Sequence, residues 1–153
     1  MAYRSSIPTF VRALRDGLRL RSGLAGVTVT AAPVAPEDVT PRTIRLGGSD
    51  DGEQRIRTYS RATVEESYSV EGVIWWVEAG KHGDAAIDAA QDGAFGLYGE
   101  IEDFLRETAA APRVNGSVMQ AQASLARYLP TLFDTGTGVV LEFRVRVLNE
   151  LAP

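Results

Sequence analysis

The stretch Thr137–Leu148, TGVVLEFRVRVL, decides the fold. Val139, Leu141, Phe143, Val145 and Val147 point one way along it, while Glu142, Arg144 and Arg146 point the other. Side chains on a strand alternate between faces, so this pattern specifies a strand with one face in a core and one face toward water. Such a strand needs a partner. The turn signal DTGTG precedes it, and Ser117–Tyr128 before that turn supplies the other arm of a hairpin. Pro130 has no backbone N–H to give to a ladder, so it ends that first arm or lies at a sheet edge.

A second long β-like stretch, Val64–Val77, places Val64, Tyr68, Val70, Ile74 and Trp76 on one face and reads as a central strand. Trp75 and Trp76 are adjacent and therefore cannot enter the same core; one of them belongs to a second layer or an interface. Shorter strands are expected at Val27–Ala31 and Thr43–Leu46. Between those two, AAPVAPEDVTPRT carries three prolines and reads as an irregular loop, giving flexible segments near 32–42 and again near 47–54, where GGSDDGEQ has nothing to bury.

Two helices complete the order. Ser6–Ser22 repeats Ile7, Val11, Leu14 and Leu18 at helical spacing, with Phe10 widening the stripe, Pro8 in the first turn and Gly23 as the stop. The second begins with Asp84 as its N-cap, carries Ile87, Ala90, Ala94, Leu97, Ile101 and Phe104 toward the sheet, and ends at Ala111 and Pro112. Its Gly93, Gly96 and Gly99 each cost about 0.8–1 kcal/mol relative to Ala, which calls for a close neighbour or a kink. The expected class is α+β: a mixed, mainly antiparallel sheet with the long helix and the N-terminal helix packed mainly on one face, in one domain spanning 1–153.

The chain has 153 residues, 44% hydrophobic and 24% charged, enough for a single core without a disulfide or metal. It contains no cysteine, which excludes thiolate catalysis, cysteine-bound zinc and iron–sulfur clusters. No apolar run is long enough to span a bilayer, and MAYRSSIPTF lacks the apolar stretch of a signal peptide, so synthesis in the cytoplasm without membrane association is expected. The net charge of −4 hides a segregation. Arg4, Arg12, Arg15, Arg19 and Arg21 against Asp16 give the first 22 residues a net +4, whereas seven carboxylates against Arg106 give residues 83–110 a net −6. Opposed patches of this kind steer association between copies or partners. Arg12, Arg15, Arg19, Asp88, Asp92, Glu102 and Trp75 are the candidate assembly residues; the ordinary alternative is two solvated helix faces.

Chemistry is scarce. His82 is the only imidazole, and Glu78 and Asp84 beside it match no metal-binding spacing. Glu65, Glu66, Glu71 and Glu78 have no nucleophile or pocket assigned to them, and the glycines of GTGVV lead into a strand where a phosphate loop would lead into a helix. The basic helix has the charge of a nucleic-acid contact, but a pI near 5.0 and aromatics not interleaved with the arginines argue against sequence-specific binding. No catalytic residue, cofactor or metal is expected.

The element order, with VIWWVEAG at 73–80, GLYGEIEDFLRE at 96–107 and VVLEFRVRVLNEL at 139–151, resembles the small tail terminator proteins of siphophages and their prophage relatives. The resemblance covers most of the chain. It implies a virion protein, assembled in the host cytoplasm, that forms a hexameric ring on the last ring of the tail tube, halts growth of the tube, meets the head connector and lets DNA through its lumen. Its implied partners are other copies of itself, the tail-tube protein and the head-closure protein. A head-closure or head–tail adaptor subunit shares the general architecture, and a small ligand-binding α+β protein with its site near Trp75, Trp76 and His82 is the reading from another class.

Overall fold

The computed structural model describes residues 5–33, 40–47, 57–60, 63–107 and 120–151. Helix α1 (Ile7–Arg19) is followed by a 3-10 turn (Ser22–Leu24), strands β1 (Thr28–Thr30), β2 (Arg42–Leu46), β3 (Arg57–Ser60) and β4 (Thr63–Ala79), helix α2 (Asp84–Glu107), and strands β5 (Gln120–Phe133) and β6 (Gly136–Leu151). The six strands form one sheet in the order β1-β2-β4-β6-β5, with β3 paired to the first residues of β4. Among the described strands, only β1 and β2 run parallel; the other pairings are antiparallel. The α+β class expected from the sequence is the one observed.

The alternation in β6 does what its pattern demands. Val139, Leu141, Phe143, Val145 and Val147 are all buried, and they meet Trp76, Ile74, Gly72, Val70 and Tyr68 across the β4–β6 ladder. Helix α2 lies over this face with Ala86, Ala90, Ala94, Leu97, Tyr98, Ile101, Phe104 and Leu105 buried. Ile87, expected in the stripe, is only half-buried, and Ala86 takes the inward position instead. Helix α1 adds Phe10, Leu14 and Leu18, and its Gly17 is buried because the Phe104 ring occupies the place a Cβ would need.

The N-terminus of α1 is capped from a strand about sixty residues away. Glu66 of β4, 3% exposed, accepts hydrogen bonds from the Ser6 N–H (2.9 Å), the Ser6 hydroxyl (2.7 Å) and the Ser5 hydroxyl. A carboxylate there satisfies orphan donors and complements the positive end of the helix dipole. The Tyr68 hydroxyl lies 2.9 Å from Ser6 Oγ, and burial raises its pKa well above the ordinary phenol range.

Several boundaries differ from expectation. Helix α1 stops at Arg19, four residues before Gly23: the Leu20 and Arg21 N–H groups donate to the Gly17 and Leu18 carbonyls respectively, and the chain tightens into the 3-10 turn that contains Gly23. Asp84 is the first residue of α2 and not its N-cap; Gly83, at φ +85°, precedes it and accepts from the Ala86 and Ile87 N–H groups. Strand β5 runs past Tyr128 to Phe133, carrying Pro130 within it, which the edge position of the strand permits. Strand β3 has too few apolar residues to announce itself. Residues 48–54 of the expected loop tip, residues 34–39 of the proline-rich segment, the helix end at Ala111 and Pro112, the first residues of the strand starting at Ser117 and the side chains of Val64 and Glu65 lie outside the described residues.

Candidate assembly surfaces

The two tryptophans part as the geometry of a strand requires. Trp76 faces α2, where its indole fills the space beside Gly93; a Cβ added there would fall 2.2 Å from the ring. The Arg42 guanidinium lies 4.3 Å from the centre of the indole, and the indole N–H donates to Glu78 Oε1 at 3.0 Å. That hydrogen bond, with Lys81 and Arg42 adding positive charge, holds the Glu78 carboxyl below its ordinary range. Gly93 is thus explained by close approach; Gly96 and Gly99 meet nothing within 4 Å and leave α2 with a bare outer surface. Trp75 points to the opposite face of the sheet, half-buried, in register with Thr43 and Val140.

That opposite face carries no described helix. Glu71 and Arg144 pair across it at 3.3 Å, and Glu142 and Arg146 continue its charged rows. A depression of about 280 Å³ lies there between Glu71, Val73, Ala126, Glu142 and Arg144, beside the bulge that shifts the β5–β6 register between Leu125 and Arg127.

The basic and acidic helices are not two untouched patches. Arg21, just beyond α1, donates to Glu100 at 2.9 Å and to Glu107 at 2.7 Å on α2, so part of the segregated charge joins the helices of one subunit. Arg21 in turn holds the Glu107 carboxyl below the usual glutamate range. Gly23 gives the Glu100 carboxylate room to reach it. Nothing local in the sequence marks this bridge, whose contacts span 79 and 86 residues.

What remains outward is smaller and better defined. Arg12 is exposed with no ion pair among the described residues, while Arg15 and Arg19 share Asp16 (2.8 and 3.9 Å) and Arg19 also donates to the Val29 carbonyl. Asp88 and Asp92 are exposed on one face of α2, also without an ion pair among the described residues. Glu102 is half-buried beside Tyr98, whose pKa burial and the Glu102 hydrogen bond push up to about 12, and it lines a depression of about 300 Å³ with Leu105, Arg106 and residues 120–123.

Several large apolar side chains stay in water. Phe95 on α2 and Leu125, Tyr128 and Leu132 on one face of β5 are all exposed, Leu132 being 75% exposed, with the Phe95 and Tyr128 rings 5.9 Å apart. Leu20, at the end of α1, is 86% exposed. The signal available in the sequence was the loss of strict alternation after Leu125, which the bulge produces.

Catalytic geometry is not apparent among the described residues. His82 is exposed with its Nδ1 3.4 Å from Thr137 Oγ1, no three metal-binding side chains cluster, and the buried Ser6–Glu66–Tyr68 group is committed to capping α1. Among the described residues, no helix is long and apolar enough to cross a membrane.

No protein-family model and no curated protein matches the chain. Among 26 matching chains of solved structures is one from the virion of a native gene transfer agent particle. It is 17% identical, the alignment covers 90% of this chain and 93% of that one, and the TM-score is 0.50. The likeness is one of fold, over nearly the full length of both chains: this α+β architecture is also that of a chain in a gene transfer agent virion.

Proposed function

We propose that this chain is a non-enzymatic structural subunit of a phage-like virion, of the tail-terminator kind. Copies form a ring, a hexamer in the resemblance, that caps the tail tube, ends its polymerisation and joins it to the head connector while DNA passes through the lumen. The observation that carries the reading is the fold shared end to end with a chain of a gene transfer agent virion. Two further features support it: charged and apolar surfaces unequally placed on one subunit, as a head-to-tail ring contact needs, and polar clusters that serve packing.

Light scattering across a concentration series, with negative-stain images of the largest species, tests the reading. Closed rings that bind the end of a polymerised tail tube are the expected result. Binding to the portal side in place of the tube makes the chain a head-closure or adaptor subunit. A strict monomer that binds neither overturns the proposal.

A further inference from the structure

The edges of the sheet differ in a way that fits one to the other. At one end of the strand order, α1 packs on β1 and turns Arg12, Asp16 and Leu20 outward at four-residue spacing, with Arg15 and Arg19 beside them. Three arginines against one aspartate leave this surface positive, and Leu20 is its exposed apolar point. At the other end lies β5, whose Leu125, Tyr128 and Leu132 lie on the side of the sheet that α2 covers but extend beyond its cover. Phe95 continues the apolar surface onto α2, and Asp92 and Asp88 flank it one and two helical turns away, with no ion pair among the described residues. Four of the five large apolar side chains exposed among the described residues are therefore on the acidic edge, and the fifth is on the basic one.

We propose that the acidic, apolar edge formed by α2 and β5 is the docking surface for the basic α1 edge of a second copy of this chain. The inference rests on the ring reading above and names its contact. The occupant follows from charge and placement. A positive surface with one protruding leucine complements a negative surface with a shallow aromatic and aliphatic floor. Because the two surfaces sit at opposite ends of one sheet, a contact between them is head-to-tail and propagates around a ring; it cannot close as a two-fold dimer. Gly96 and Gly99, which follow Phe95 and have open space where a Cβ would be, help by leaving the outer surface of α2 low. The bulge at Leu125/Arg127 and Pro130 interrupt the free backbone edge of β5, which assigns the contact to side chains in preference to an added strand.

Charge reversal separates this contact from any other. One variant carries Asp88→Lys and Asp92→Lys, and a second carries Arg12→Glu and Arg15→Glu; all four positions lie outside the core. Each variant alone is expected to self-associate at least about tenfold more weakly than the wild type by light scattering. An equimolar mixture recovers association, because the lysine-bearing edge of the first meets the glutamate-bearing helix of the second. Misfolded chains cannot produce that recovery. Leu132→Asp weakens association in the same assay without a charge-swapped rescue. Rings that persist in both reversal variants and in Leu132→Asp overturn this inference and leave the ring reading standing. Reversal variants that dissociate but do not recover on mixing also overturn it, since the two edges then do not meet each other. A wild-type chain that stays monomeric at millimolar concentration and on tail tubes removes the ring reading, and this contact with it.

Discussion

Strand β6 separates two surfaces of unlike character. Its odd-numbered residues from Val139 to Val147 are buried under α2, and its even-numbered residues from Val140 to Leu148 are half-buried or exposed on a face with no described helix. One strand thus carries the core and, on the same backbone, a water-facing row of charge. The difference teaches where substitutions register. On the covered side a lost methyl group is a cavity, because close packing leaves little to relax. On the bare side solvent replaces what is removed.

The largest effect is expected at Phe143. Its ring is 1% exposed, lies where a Cβ on Gly72 would fall and meets Tyr98 edge-on with centroids 6.2 Å apart. Phe143→Ala should cost about 3–5 kcal/mol of unfolding free energy in a urea titration. A loss below about 1 kcal/mol would mean that α2 does not seal this face.

Helix α2 offers the same comparison within one element. Gly93 touches Trp76, and Gly96 touches nothing. Ala gains about 1 kcal/mol over Gly in a helix interior wherever there is room. At position 96 that gain should appear nearly whole, as a higher denaturant midpoint. At position 93 the added Cβ meets the indole, and overpacking of about 1–3 kcal/mol outweighs the gain. Gly93→Ala is expected to destabilise and to perturb Trp fluorescence, whereas Gly96→Ala stabilises and leaves the emission unchanged. Equal effects at both positions would place Trp76 elsewhere.

The legibility of the sequence follows the same division. Strands β4 and β6 and the inner stripe of α2 were readable because each buries one face, and burial on one side writes a period of two or of 3.6 into the residues. The separation of Trp75 from Trp76 came from the pleat alone. Strand β5 was readable only to Tyr128, since its far half is an uncovered edge where Leu132 and Tyr128 face water and the bulge resets the alternation. The assembly candidates show a second limit. Asp88, Asp92 and Arg12 are exposed, Glu102 is half-buried beside Tyr98, and Arg21 spans to Glu100 and Glu107 within the subunit. Glu66 under α1 is of the same kind. Contacts between elements sixty or more residues apart leave no periodic trace, so charge segregation alone did not say which charges face a partner.

The smallest effect is expected on the bare face. Glu71 and Arg144 are 3.3 Å apart with roughly a third and a half of their side chains exposed. A cross-strand pair in that much water contributes little: a double-mutant cycle of Glu71→Ala and Arg144→Ala should give a coupling below about 0.5 kcal/mol, shrinking further with added salt. The cycle is informative because burial would change it. If another copy covered this face, the pair would lose water, the coupling would grow with protein concentration and resist salt. A coupling that stays small in assembled rings leaves the edges of the sheet as the surfaces in contact, and one that rises only in rings moves the contact onto this face.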